Sequence, residues 1–183
     1  MGQCCSGPAP ATSSSTALFF PDAKMPCRNY LQGTVCRRKN CAYAHTRTSL
    51  VALLHVLRSA KKSLCVCVYT ITCNEIAEEL VRAKQRGVQV CVITDDELVD
   101  ALGSDIRMLK QAKIPVKIDK GRKAYMHHKF CIVDGNILLN GSFNWTRNGV
   151  LGNNENIVIT RDAKLCQTFQ AEYNRMWKEF VSL

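Results

Sequence analysis

Between Thr48 and Phe180, short apolar runs with strand character alternate with stretches where apolar residues recur every three or four positions. Leu50, Leu53, Leu54 and Leu57 follow a Thr48/Ser49 cap at helical spacing, which predicts a first helix. The run LCVCVYTI, residues 64–71, predicts a buried strand. Asn74 is expected to cap a helix reaching Arg86, with Ile76, Leu80 and Ala83 inward and Gly87 ending it. A second strand is expected over 88–94, helices over 95–102 and 104–112, and a short strand over 116–119 after Pro115. Two more strands, about 127–134 and 136–140, flank a tight turn at Asp134-Gly135-Asn136. A further strand is expected over 156–160. Asp162 then caps a last helix that turns Leu165, Phe169, Met176 and Phe180 to one face. Such alternation predicts an α/β fold, a mixed sheet flanked by helices on both faces, spanning residues 48–183.

The first 48 residues carry no such period. Residues 6–16, SGPAPATSSST, read as a small-residue linker within a flexible tail at 1–24. The segment 25–47 holds Cys27-x8-Cys36-x4-Cys41-x3-His45, four residues that together make a tetrahedral ligand set for structural zinc. It is too short and polar to fold on apolar burial alone, so a metal would supply the missing stability. Arg37, Arg38 and Lys39 lie inside it and would present charge to phosphate. The opening MGQCCS places Gly2 and Ser6 at myristoylation spacing, with Cys4 and Cys5 beside them as palmitoylation candidates. Two acyl chains would hold a membrane surface stably where one would not.

Composition narrows the class. With 183 residues, 46% of them hydrophobic, the chain can bury a real core and is not disordered as a whole. No apolar run approaches the roughly 20 residues a membrane-spanning helix needs. Eleven cysteines are an odd number, and Cys65, Cys67, Cys91 and Cys131 sit inside apolar runs. That pattern fits buried thiols in a reducing compartment better than a secreted disulfide scaffold. The net charge of +10 favours a polyanionic partner, nucleic acid or an anionic membrane.

The chemistry concentrates in Tyr125–Trp145, YMHHKFCIVDGNILLNGSFNW. His127, Lys129 and Asp134 stand as H-x-K-x4-D, followed by Gly141-Ser142 and then Asn144. On a strand, His127 and Lys129 would project from one face. Imidazole, ammonium, the Ser142 hydroxyl and the Asn144 carboxamide would then converge on a tetrahedral anion. Lysine and asparagine would hold its oxygens while a neutral imidazole attacks phosphorus. The other imidazole nitrogen then needs an acceptor, and Glu155 in NNEN is the candidate. His128 is expected to point to the opposite face and pack.

This pattern, occurring once, resembles the phospholipase D superfamily, whose members cut phosphodiesters through a covalent histidine intermediate. The stretches LFFP (18–21), YMHHKFCIVD (125–134), GSFNWT (141–146) and NNEN (153–156) resemble more closely the mitochondrial phospholipase D-like family called Zucchini in insects and mitoPLD in vertebrates, over about residues 17–181. That resemblance implies a homodimer in which two motifs share one active site. His127 of one protomer would be the nucleophile and His127 of its partner the general acid and base. Lys129 and Asn144 would grip phosphate and Asp134 would support the site, with no catalytic metal. The segment 25–47 is similar to a CCCH zinc finger, with four rather than five residues between its second and third cysteines. The family implies either an endoribonuclease cutting single-stranded RNA to leave 5′-phosphates in piRNA biogenesis, or a cardiolipin hydrolase releasing phosphatidate. A non-catalytic nucleic-acid or membrane adaptor is the remaining class. Lys117, Lys120, Arg122, Lys123 and Arg147 near the motif, against only Val150 and Leu151 as an apolar pair, favour RNA. Family members sit on the cytosolic face of the mitochondrial outer membrane through a transmembrane helix. MGQCCS stands in that helix's place here: either dual acylation substitutes for the helix or this N-terminus is an alternative start.

Overall fold

A computed structural model describes residues 15–99, 101, 103–121 and 124–183. The lipidation candidates Gly2, Cys4 and Cys5, and the basic pair Arg122 and Lys123, lie outside these residues.

In chain order the elements are β1 (Thr16–Phe20), α1 (Arg28–Leu31), α2 (Ser49–Arg58), β2 (Ser63–Val68), β3 (Ile71–Thr72), α3 (Asn74–Gln85), β4 (Gln89–Thr94), α4 (Ile106–Gln111), β5 (Val116–Ile118), β6 (Lys129–Val133), β7 (Ile137–Gly141), β8 (Trp145–Thr146), α5 (Arg147–Leu151), β9 (Glu155–Thr160), α6 (Ala163–Glu179) and β10 (Val181–Ser182). Eight strands form one mixed sheet in the order β1-β9-β7-β6-β2-β4-β5-β10. The β2–β4 and β4–β5 pairings are parallel and the other five antiparallel. Leu50, Leu53, Leu57, Ile76 and Leu80 of α2 and α3 bury against one face. Cys166, Tyr173 and Met176 of α6 bury against the other, over Phe130, Ile132 and Leu138. The expected two-faced α/β sheet is therefore the architecture. Register carries every strand end relevant to the site to one edge: the carboxyl ends of β1, β2, β4, β5 and β7, and the amino ends of β6 and β9.

Four expectations need correction. The tail assigned to 1–24 contains β1, which pairs with β9 from Thr16↔Ile159 to Phe20↔Glu155. Its alternation buries Leu18 and Phe20, and Phe20 stacks on Phe143 at 4.2 Å between ring centroids. Just beyond, the Asp22 carboxylate accepts from Ser49 N and Leu50 N, both at 2.9 Å, and so caps α2 together with Thr48. Residues 95–102 are not helical where described, because Asp95 Oδ1 accepts from Glu97 N in a local turn that competes with helix hydrogen bonding. Asn74 is the first helical residue of α3 and Cys73 its N-cap. In α6, Leu165 is 47% exposed, and the buried face runs through Cys166, Tyr173 and Met176 instead.

Candidate active site

His127 stands immediately before β6, not within it, and Lys129 is the first residue of that strand. The two side chains nonetheless meet. Lys129 Nζ lies 2.9 Å from His127 Nδ1 and donates at 2.7 Å to the His127 carbonyl. An ammonium can only donate, so Nδ1 accepts and a neutral ring in this arrangement carries its proton on Nε2. His127 is exposed, and Lys129 is half-buried. Burial lowers the Lys129 pKa, opposed by the negative charge of Glu155.

Ser142 lies just past the end of β7, where its Oγ accepts from Asn156 N at 3.1 Å and ties β7 to β9. Gly141 must be glycine: a Cβ there would stand 2.0 Å from the Asn156 carbonyl oxygen. Asn144 follows in the loop before β8, half-buried, with Oδ1 buried and unpartnered among the described residues. Glu155 opens β9 at the same edge, but its Oε1 accepts from Asn153 Nδ2 at 3.1 Å rather than from His127. In this arrangement Lys129, not Glu155, meets His127 Nδ1, and the influence of Glu155 seen here is on the charge of Lys129. His128 sets its ring edge-on to Phe130 at 5.5 Å, as its opposite-facing position suggested.

Asp134 is not brought to the site. It lies beyond the far end of β6, about 17 Å from Lys129 at the ~3.4 Å rise of an antiparallel strand. There its carboxylate accepts from Lys61 N (2.9 Å), Lys62 N (2.7 Å) and Ser63 N (2.8 Å). Asp134 and Gly135 have φ of 51° and 71°, and Asn136 N donates to Val133 O at 3.1 Å, which makes the β6–β7 connection a tight hairpin turn. The residue therefore clamps the hairpin to the start of β2. Burial opposes ionisation, but the three backbone donors outweigh it and hold the carboxyl below its usual range. A depressed folded pKa contributes stability that is present above the unfolded value near ~3.9 and lost as pH falls through the folded one. Asp134→Asn should lower stability by about 1.5–3 kcal/mol, through the lost charge-assisted bonds, and should flatten the acid limb of the unfolding curve. Denaturant melts at pH 7 and pH 3 check this, and equal loss at both would refute it.

Two residues of the site went unrecognised in the sequence, Tyr69 and Tyr125. Tyr69 follows β2, its ring edge-on to His127 at 4.6 Å and to Tyr125 at 6.0 Å, with Lys129 Nζ 5.2 Å from its centroid. Its backbone N–H donates to the His128 carbonyl at 2.9 Å. The loop carrying Tyr125 and His127 is anchored from β4, where Asp95 Oδ2 accepts from Met126 N at 3.0 Å and Met126 Sδ packs 3.4 Å from Cys67 Sγ. The signal available was only a tyrosine ending a buried strand and another two residues before the motif histidine.

Away from this edge, the ligand atoms of Cys27, Cys36, Cys41 and His45 all lie within 4.8 Å of one another. Cys27 and Cys41 sulfurs are 3.9 Å apart. Tetrahedral coordination at Zn–S distances of about 2.3 Å requires sulfurs about 3.8 Å apart, so the cluster fits the ion. Burial raises the Cys27 thiol, but the Tyr30 and Asn29 backbone at the start of α1 and the neighbouring thiols Cys36 and Cys41 bring it down to about 6. That favours the thiolate a metal binds.

Residues 53–177 match the family model described as cardiolipin synthase, phospholipase D-like domain. The chain is 47% identical over 163 residues to the mitochondrial cardiolipin hydrolase of Chlamydomonas reinhardtii, covering 89% of this chain and 73% of that protein. It is 39% identical to the protein of the same name from Xenopus tropicalis, covering 89% and 76%. Among solved structures it superposes on Nuc, a phospholipase D family member from Salmonella typhimurium, with a TM-score of 0.75 and 25% identity, covering 93% of this chain and 98% of the other.

Proposed function

The chain belongs to the phospholipase D-like family and is a phosphodiester hydrolase, and we propose that it works through a phosphohistidine on His127 with single-stranded RNA as its principal substrate. The observation that carries the RNA reading is the surroundings of His127. Tyrosine rings and an ammonium flank it, and Val150, half of the apolar pair noted in the sequence, is buried. A lipase needs apolar surface beside its nucleophile for acyl chains, whereas a single strand needs cations and rings. Lys120 and Arg147 are exposed, but the Lys117 ammonium is committed to the Trp177 carbonyl and ring, so its share in that field is small.

The chain supplies one histidine and one lysine of this kind, which is half of what a double displacement needs. In our reading a homodimer places two such edges face to face. The sheet face next to the site, with Phe19 68% and Val158 43% exposed on β1 and β9, supports a partner there. The entering phosphate draws Lys129 away from Nδ1, and Asn144 contributes its amide. With the lysine gone, Nδ1 can carry the ring proton toward Glu155 and Nε2 is free to attack. The P–O3′ bond breaks as the N–P bond forms, and His127 of the partner subunit protonates the leaving 3′-oxygen. It then deprotonates the water that cleaves the N–P bond, leaving a 5′-phosphate. Cardiolipin would react identically, releasing phosphatidate, and the names of the relatives keep it as the second reading. Cys27, Cys36, Cys41 and His45 would hold a structural zinc that takes no part in these steps. Among the described residues no helix is long and apolar enough to cross a membrane. We place the protein at a mitochondrial membrane because its relatives are named as mitochondrial, and on the cytosolic face of the outer membrane by the family resemblance alone.

The test is one preparation, in EDTA, on 5′-labelled single-stranded RNA and on cardiolipin vesicles. RNA cleavage leaving 5′-phosphates, with lipid turnover at least tenfold slower, is expected. Turnover of lipid alone would refute the RNA reading and keep the phosphodiesterase.

A further inference from the structure

Tyr125 is 60% exposed, large and beside the nucleophile, yet it has no conformational slack to explain its exposure. The residue after it is buried and held through its backbone by Asp95, and Tyr69 abuts its ring edge-on. Next to it a cavity of about 360 Å³ opens between this loop and the last turns of α6, lined among others by Asp119, Tyr125, His127, His128, Met176 and Phe180. That volume suits a small planar group. Exposed aromatic rings fixed on a rigid support are how single-strand binders stack bases at low entropic cost.

We propose that Tyr125 is the stacking platform for one nucleobase flanking the scissile phosphate, and that the adjoining cavity receives that base. This rests on the RNA reading and deepens it. The ring fixes the register of the strand, so that one phosphodiester, not its neighbours, faces His127. Tyr69 acts as a positioning residue, bracing Tyr125 and His127 together. An acyl chain could also lie against Met176 and Phe180 in this cavity, but it would not require a π face, and that difference is what the test uses.

The experiment measures kcat/KM and cleavage position on a single-stranded RNA of one defined sequence carrying an abasic nucleotide at each position around the cut. Wild type is expected to lose roughly tenfold at one position only, within the range of a single base–aromatic stack. Tyr125→Leu, which keeps the apolar bulk, should lose the same factor on intact RNA and show no further loss with the abasic strand. Tyr125→Trp should retain activity. If Tyr125→Leu cuts intact RNA as wild type does, or if the abasic losses persist in it, the platform is refuted while the RNA reading stands. If RNA is not cut by any variant while cardiolipin is, the RNA reading itself has failed.

Discussion

His127→Asn abolishes turnover of every phosphodiester substrate, by roughly 10⁴-fold or more, and leaves the melting temperature where it was. The size follows from losing a nucleophile that other groups cannot replace. The unchanged stability follows from exposure: His127 touches Tyr69 and Lys129 at the surface and fills no core position. Mixed oligomers sharpen the prediction. If the two histidines act as nucleophile and acid across a two-fold axis, a heterodimer of wild-type and His127→Asn chains has no complete site. Activity should then fall with the square of the wild-type fraction. A linear fall, or an active monomer in light scattering, would mean that each chain is complete in itself. Covalent labelling gives the same answer from another side. Protein incubated with substrate carrying ³²P at the scissile phosphate and quenched in alkaline detergent should hold label on His127 that is stable to alkali and released by acid, with none in the variant.

How much of this was legible before the structure depended on periodicity. Helices α2, α3 and α6 and strands β2, β4 and β6 were readable because each has enough turns or alternations to show its buried side, Leu50 through Leu57 being the plainest case. Strand β1 was not, since five residues between a linker and a proline become a strand only through pairing with β9, 135 positions away even at the nearest register pair, Phe20↔Glu155. The meeting of His127 and Lys129 was legible, although by a loop and a long side chain rather than by two neighbours on a strand face. The place of Asp134 could have been read from spacing alone. Five residues of extended chain carry it across the sheet from Lys129, so it could never have touched the same phosphate. Tyr69 and Tyr125 could not have been found that way. Their meeting depends on β2 pairing with β6, Val68 opposite Lys129, and on a buried aspartate pulling the intervening loop against the sheet edge.

Removing metal from the 25–47 segment unfolds that segment and leaves the sheet standing. The apolar bookkeeping requires the first half of this. Met25 and Cys27 are buried, but Val35 is 83% and Tyr43 42% exposed, so the segment has almost no core of its own. Within the segment Cys27 N donates to Ala44 O and Ala44 N to Met25 O, both at 2.8 Å; its ties to the body are Met25 and Leu31 against the main core, Arg58 to Leu31 O at 3.2 Å, and the exposed pair Arg28–Glu78 at 3.7 Å. Exposed ion pairs of that kind are worth little, whereas a four-ligand structural zinc supplies about 10–16 kcal/mol. The second half follows from Glu79. It is fully buried on α3 and held by Arg58, Arg82 and Arg86, so α2 and α3 stay locked to each other whether or not the segment is folded. Purified protein should therefore carry one zinc per chain by elemental analysis. A strong chelator, or Cys41→Ser, should expose trypsin sites at Arg37, Arg38 and Lys39 at once, with the melting of the sheet shifted little. Metal-free protein whose segment resists trypsin as the native protein does would refute the assignment of those four ligands.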